Sequence, residues 1–473
     1  MSASVDPVIS DVPVVSVFEG LVHAGPPTAA PVLFETAYVL GGSVAGLLAA
    51  RVLADHARHV VVVERDEVTT DGTPRRGVPQ DQQVHTLLPA GLRWIERWLP
   101  GFSQDVRERG ATLTGIDRAR TVLDGHPQAP SGANLTVLGI GRPLLESRIR
   151  AAVLALPNVS ARHARATGLR HRDGAVDGVR LVEDGTERVA DADFVVDATG
   201  RASRLPDWVR QDGYDEPPLE RLPAPINYAT AHFARRTRTA DLDVALALSI
   251  HSPGYDAGGV SVAAVNAIED DQWIVMLMGY GEDRPGRTLD AFRAACAELP
   301  PLFAEAVSGA VTRDIVTYHQ AESRRRTFTG PGRFPARLVA VGDAVASFNP
   351  VHGQGLSSAT LHASCLSAYL TGKPDLAAAA AEFFALQRIV VDAAWAVSAG
   401  GDAARHDALT GAEVPEEVRR QRWAMGQLTA ATLHDGDLAR AFNDVSFMLR
   451  HPATLADPAL LERAAAVNEA ARD

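Results

Sequence analysis

The segment beginning at Thr36 reads TAYVLGGSVAGLLAARVL, a short apolar stretch that runs into Gly41, Gly42, Ser43 and Gly46. The spacing predicts a strand over 36–40 and a helix over 44–53, with a second buried parallel strand over 59–64 that closes on Glu64. Glycine at 41 permits a tight strand-to-helix turn, and glycine at 46 lets the helix lie close to the strand. The N-terminus of that helix then faces an anion such as a pyrophosphate. Gly41, Gly42, Ser43, Val44, Ala45 and Gly46 are therefore candidate cofactor contacts. Glu64 is placed to accept hydrogen bonds from ribose hydroxyls, and Arg65 follows it. Ser43 stands where the usual motif has its central glycine and is small enough for close approach. A Gly-rich turn with no ligand is the plain alternative; the strand before, the helix after and Glu64 in register weigh against it. These residues alone do not separate FAD from NAD.

Two later segments extend the pattern. Asp193 opens DFVVDATGRASRLP, a strand that turns sharply at Thr199 and Gly200. Arg337 opens RLVAVGDAVASFNPVHGQGLS, a strand, Gly342-Asp343, and a second glycine-rich turn spanning 350–355 ahead of a helix over 356–370. Arg75-Arg76-Gly77-Val78-Pro79-Gln80 and Gly141-Arg142-Pro143 lie between them, the latter opening a helix with proline in its first turn.

Taken in order, GxSxxG with Glu64, the DATG turn and GDAxxxxxPxxGQG resemble the glutathione-reductase-type FAD monooxygenases, the superfamily of aromatic hydroxylases and squalene epoxidase. More narrowly they look like the bacterial flavin epoxidases and hydroxylases of polyketide and terpenoid biosynthesis. The resemblance covers roughly residues 36–388. It implies that Asp343 bonds the ribityl chain of FAD and that Pro350, Gly353, Gln354, Gly355 and Leu356 run beside the isoalloxazine. The dipole of the following helix would favour negative charge on the reduced ring. It further implies FAD contacts at Arg76 and Arg142. The chain departs from the family at Ala346, where a histidine is common, and His352 at a different position does not inherit that role. His85 reads as a hydrogen-bonded structural residue rather than a base.

The elements that must position this chemistry follow from the rest of the sequence. The fold expected is α/β: a Rossmann-like FAD-binding domain from 34–204 and 336–372, an inserted, mostly antiparallel substrate-binding sheet over 205–335, and a helical region over 373–473. Residues 1–33 read as a flexible or loosely docked tail. Strand-like stretches begin at Tyr228, Val244, Val260 and Trp273, the last two forming a hairpin; short helices cover 292–299 and 302–307. Tyr228, Met276, Met278 and Phe348 are candidate pocket residues, each also plausible as ordinary core. Trp94 and Trp98, four apart on an amphipathic helix over 89–99, read as core.

Composition narrows the partners. The formal charge is −12 and Lys373 is the only lysine, a poor footprint for nucleic acid. Cys296 and Cys365 form no CxxC pair, so no thiolate metal site is expected. No stretch reads as the roughly 18–20 apolar residues of a membrane span, and no signal peptide is evident, which fits a cytoplasmic monomer or homodimer.

The resemblance implies NADPH or NADH as transient reductant, molecular oxygen, and a hydrophobic small-molecule substrate. Oxygen transfer through a flavin C4a-hydroperoxide would epoxidise an alkene, the reading favoured by the RRGVPQ and SFNPVHGQG forms. Hydroxylation of an aromatic or polyketide substrate by the same oxidant is the alternative. A dehydrogenase or reductase without oxygen insertion is a second class, and a noncatalytic flavoprotein a third. Flavin halogenases carry a WxWxIP stretch that is absent here.

Overall fold

The computed structural model describes residues 13–67, 70–75, 77–78, 81–85, 87–235, 246–250, 259–328 and 332–472. Arg76 and Val244 lie outside the described residues.

A five-stranded parallel sheet forms the first layer, in the order Leu338–Ala340, Phe194–Asp197, Phe34–Leu40, Ala57–Glu64, Val159–His163. Its three inner strands are buried along most of their length, as the interior of a parallel sheet requires. Helix Val44–Leu53 packs on the sheet, and Gln354–Thr371 packs on that helix. The strand from the DATG segment enters this sheet beside the first strand, and the strand before Gly342-Asp343 pairs with the DATG strand at the sheet edge. Three motifs some 150 residues apart thus reach one sheet edge.

The second layer is an eight-stranded sheet in the order Ala346–Ser347, Val311–Arg326, Leu219–Ala234, Gln272–Tyr280, Val262–Ile268, Leu246–Ile250, Arg120–Leu123, His126–Pro127. All neighbours are antiparallel except Leu246–Ile250 with Arg120–Leu123. The Rossmann-like core with an inserted antiparallel sheet and C-terminal helices is the architecture expected. Strand Val311–Arg326 has no counterpart among the expected strands: its run TRDIVTYHQAESRRR is polar because one long side pairs only briefly, at Arg324 and Arg325. Two strands of this sheet, 120–123 and 126–127, come from the stretch assigned by sequence to the FAD domain.

Residues on Leu219–Ala234 alternate between two environments. Ala229, Ala231 and Phe233 join Val275, Leu277, Phe292 and Phe303 under helices Leu289–Ala297 and Pro301–Ala306. Ile226 and Tyr228 join Met276 and Met278 on the opposite face, together with Val84 and Val351 from the first layer. The sheet thereby presents one face to its own helices and the other to the nucleotide layer.

One expectation is corrected. The segment Val14–His23, read as a flexible or loosely docked tail, is a firmly docked helix; Phe18 is fully buried, and the Val22 carbonyl accepts from Trp94 Nε1 (3.0 Å) and Arg97 Nη1 (2.7 Å). Its apolar spacing was hidden by the prolines and alanines around it. Helix Ala381–Thr410 is long and apolar enough to cross a membrane by length and composition, but 67% of that window is buried inside the protein. Its apolar side is used by the core, through Phe383, Phe384, Val390 and Trp395. Trp94 and Trp98 are core, as read from sequence.

Candidate cofactor and substrate site

Gly41 ends the first strand with φ +108°, and a Cβ there would sit 2.3 Å from the carbonyl oxygen of Ala198. The DATG turn therefore presses directly on the first glycine, and only glycine fits. Asp197 holds that turn. It is wholly buried and accepts from the Thr199 amide (3.0 Å), the Thr199 hydroxyl (2.6 Å) and Ser203. Gly46 lies one turn into the helix, against the Gly41 carbonyl. Gly342, at φ +62°, packs where a Cβ would come 2.6 Å from that of Ala45. The Gly-Asp motif is thus seated on the first turn of helix Val44–Leu53, which brings Asp343 beside the phosphate turn. The Gly342 amide donates to His362 Nδ1 (2.9 Å), a role not foreseen for that histidine. Burial lowers the His362 pKa to about 3, so it stays a neutral acceptor.

Ser43 precedes the helix but does not cap it, leaving the first-turn N–H groups at Val44 and Ala45 without a side-chain partner. Its hydroxyl instead donates to Glu146 Oε2 (2.6 Å) and accepts from Arg142 Nη2 (3.0 Å). Glu146 lies at the centre of an arginine cage. Arg150 reaches its Oε1 at 2.6 Å, Arg142 its Oε2 at 3.3 Å, and Arg75 also pairs with Oε1. Burial would raise the Glu146 pKa, but Arg142, Arg75, Ser43 and Arg150 outweigh it and hold it down to about 2. Arg142, Glu146 and Arg150 share one helix face at four-residue spacing, a signal readable in the sequence.

Glu64 is also drawn into this network. Its Oε2 accepts from the Gly42 amide (2.9 Å) and from Arg75 (2.9 Å); its Oε1 accepts from the amides of Arg65 and Asp66. The Arg65 side chain is exposed and reaches the Gly77 carbonyl at 3.4 Å.

Asp343 keeps accessible surface although protein surrounds it closely enough for desolvation to raise its pKa against Arg142, Arg201 and Arg324. Its exposed carboxyl, one residue after Gly342, is open to a ligand beside the first turn of helix Val44–Leu53. His85 and His352 combine partial accessibility with the same desolvation, which lowers them to about 3 and about 4; His85 Nδ1 contacts the Gln83 carbonyl at 2.9 Å. Gly353 (φ +67°) leads into helix Gln354–Thr371, and the space over Gly355 is open. Gln354 is buried, its amide donating to the Ser446 carbonyl while Oε1 has no partner. Pro350 is exposed and Leu356 half-buried.

These features fit FAD: a helix start open to a pyrophosphate, a glycine turn no Cβ could occupy, and an exposed carboxylate beside that helix start. No group of three or more His, Cys, Asp and Glu side chains suited to a metal occurs among the described residues. Cys296 and Cys365 are buried free thiols, and burial pushes Cys296 up to about 12.

Tyr228, Met276 and Met278 share the sheet face toward the nucleotide layer. Phe348 does not join them; its ring packs toward Trp395, centroids 6.4 Å apart, in the main core. Tyr318, from the unforeseen strand, lies 6.3 Å from Tyr228 by ring centroids and is within electrostatic reach of Arg201 and Asp343. At the far end Asn349 donates to Asp402 Oδ1 (2.7 Å), and Arg405 lies 4.2 Å over the Tyr280 ring. A cavity of about 280 Å³, lined by Asn227, Thr317 and His319 with Arg284, Pro285 and Arg287, also borders Tyr228 and Tyr318. Its loop places Gly286 against Leu277 and Phe292, on the helix-covered face.

Residues 35–373 match the family described as FAD binding domain, and the chain belongs to it: it is a FAD-binding oxidoreductase. It is similar to Protein Rv3254 of Mycobacterium tuberculosis, with 32% identity over 437 residues, covering 86% of this chain and 88% of that protein. Kynurenine 3-monooxygenase of Salinispora arenicola is 27% identical over 390 residues, covering 75% of this chain and 76% of its own. Among solved structures, the flavin-dependent brominase Bmp2 superposes with a TM-score of 0.64 at 13% identity, covering 93% of this chain and 99% of that one, a likeness of fold.

Proposed function

We propose that this protein is an NAD(P)H- and O2-dependent FAD monooxygenase that places one oxygen atom on a hydrophobic small molecule. The observation that carries this reading is the packing of Val84 and Val351, from the nucleotide layer, against the sheet face of Tyr228, Met276 and Met278, which sets the 350–355 turn beside that face. FAD, when bound, would supply the two-electron chemistry that couples NAD(P)H oxidation to insertion of one atom of O2, the other leaving as water.

The chain's own residues prepare that step. The uncapped N–H groups at Val44 and Ala45 would meet the pyrophosphate, with Arg142 and Arg75 offsetting its charge. Asp343 would accept from the ribityl hydroxyls. The N-terminus of helix Gln354–Thr371, at the 350–355 turn, would stabilise negative charge on a ring held beside it. The methionine and tyrosine face excludes water from the reacting carbon.

Two acceptors remain. An alkene needs only the apolar face, and the RRGVPQ and SFNPVHGQG forms point that way. An aromatic ring with a polar substituent uses the apolar face and also the phenol and carboxyl groups at its end; this reading fits the geometry best. The similarity to kynurenine 3-monooxygenase supports it.

The test is anaerobic reduction of the FAD-loaded protein by NADPH, then admission of 18O2 with a panel of phenols and alkenes and mass spectrometry of products. Gain of one 18O, coupled to NADPH oxidation, is expected for a phenol. Gain on an alkene alone restores epoxidation. Turnover without 18O makes the protein a dehydrogenase or reductase.

A further inference from the structure

The nucleotide-facing side of the eight-stranded sheet ends in two polar atoms that the protein itself leaves unpaired. The Tyr228 hydroxyl is buried without a hydrogen-bond partner. Asp402, 3% exposed on helix Ala381–Thr410, spends Oδ1 on Asn349 and leaves Oδ2 with none. The Ser323 hydroxyl lies near enough to lower the Asp402 pKa yet makes no bond of ordinary geometry, so Oδ2 stays open. Asn349 links the two: the Nδ2 that donates to Asp402 also lies 3.4 Å from the hydroxyl of Tyr280, which packs on the same sheet face as Tyr228. Burial first, and then Tyr280, Tyr318 and Asp402, raise the Tyr228 pKa well above 10.

Buried hydroxyls and carboxylate oxygens cost free energy when unpaired, and folded proteins rarely keep them without a partner. Here one atom offers a proton and the other accepts one. A hydroxyl group is the smallest substituent that answers both. The lining beside them, Met276, Met278, Tyr280 and Tyr318, suits an aromatic ring through sulfur–aromatic and ring–ring contacts. Asp402 also lies beyond residues 35–373, the part of the chain that matches the family, so it is an addition from the C-terminal helices.

We propose that Tyr228 and Asp402 form a two-point recognition site for a hydroxyl group on an aromatic substrate, Tyr228 donating to its oxygen and Asp402 Oδ2 accepting its proton. The assignment rests on the monooxygenase reading and fixes which edge of the substrate turns away from the flavin. The unpaired edge of the ring is left toward the Asp343 side of the cleft.

Isosteric pairs test it: p-cresol against p-xylene, and 2-naphthol against 2-methylnaphthalene. Binding is read from perturbation of the oxidised flavin spectrum of the FAD-loaded protein, without NADPH. The hydroxylated member of at least one pair should bind tighter by roughly tenfold or more. Tyr228→Phe and Asp402→Asn should each erase most of that preference and leave the methyl member unchanged. The asparagine would present an N–H where the ligand needs an acceptor. A purely structural role would weaken both members alike. Equal binding within both pairs, or binding of none of the four, overturns the proposal. Failure of the purified protein to take up FAD overturns the underlying reading instead. A ligand-free control keeps the hydroxyl's status separate: the thermal midpoint of Tyr228→Phe should stay level or rise, and a clear fall would mean the phenol already has a structural partner.

Discussion

The two ends of the cleft treat their polar atoms in opposite ways. At the phosphate end Glu64, Glu146, Arg75, Arg142, Arg150 and Ser43 bond one another, and Glu146 is held ionised. At the substrate end Tyr228 and Asp402 keep unpaired atoms, and burial pushes Asp402 up to about 6. At the phosphate end, apart from Arg142 Nε, which has no partner, the side chains satisfy one another and form a rigid seat for a cofactor. Open valences leave room for a partner that the protein does not itself supply. The contrast also separates what the phosphate end owes to backbone geometry from what it owes to charge.

Backbone geometry should give the largest effect. Gly41→Val puts a branched side chain at φ +108° and into the Ala198 carbonyl, so the turn and the DATG strand cannot both keep their places. The protein is expected to purify without yellow colour or not at all. FAD titration by flavin fluorescence checks it, and normal uptake would detach the turn from the cofactor.

Charge comes next. Glu146→Ala leaves three arginines facing one another, and breaking a buried ion pair typically costs about 3–5 kcal/mol. Denaturant unfolding of the apoprotein should show a loss of that order, and FAD should restore more stability to the variant than to the wild type, since the pyrophosphate supplies the missing anion. The pH dependence has a definite sign. The folded pKa of Glu146, about 2, lies below the ordinary 4.5, so its contribution is present above 4.5 and lost as pH falls toward 2. That part of the acid limb should be missing in the variant.

The same contrast explains what the sequence made legible. The phosphate turn, Glu64, the DATG turn and Asp343 are local strings whose spacing encodes their geometry. Even the unforeseen cage was accessible in principle, since Arg142, Glu146 and Arg150 follow the helical period. The substrate end is assembled from strands 219–234, 272–280 and 311–326 and from a helix beyond residue 380, and no local string reports that meeting. Tyr318 was hidden because its strand is polar and nearly an edge. Asp402 was hidden because a lone acid after Gly400-Gly401 resembles a solvated helix position. Helix Val14–His23 escaped because docking, not propensity, stabilises ten residues of that length.

Asp402 supplies the opposite pH signature, and a smaller effect. Its folded pKa, about 6, lies above the ordinary 3.8, so protonation favours the folded state; the benefit is complete below 3.8 and lost as pH rises through 6. The shift corresponds to at most ~3 kcal/mol, given about 1.36 kcal/mol per unit. Asp402→Asn should flatten stability between pH 4 and 6 in substrate-free protein, measured by urea midpoints across that range. An unchanged slope would mean that Asp402 is ionised in the fold and paired, and the contrast between the two ends would then weaken.

The smallest effect expected on binding belongs to Phe348. Its sequence position beside the flavin-side turn made it a pocket candidate, but its ring packs toward Trp395, and its backbone carbonyl accepts from Gln320 (3.0 Å). Phe348→Leu removes ring volume from the main core and should cost about 1–3 kcal/mol by the usual range for large-to-small core changes. The affinities for 2-naphthol and 2-methylnaphthalene should stay within about twofold of wild type, a difference of only ~0.4 kcal/mol. Stability lost with affinity retained places Phe348 in the wall that supports the turn. Affinity lost for both probes alike would move that wall into the pocket and extend the apolar face to the edge of the phosphate layer.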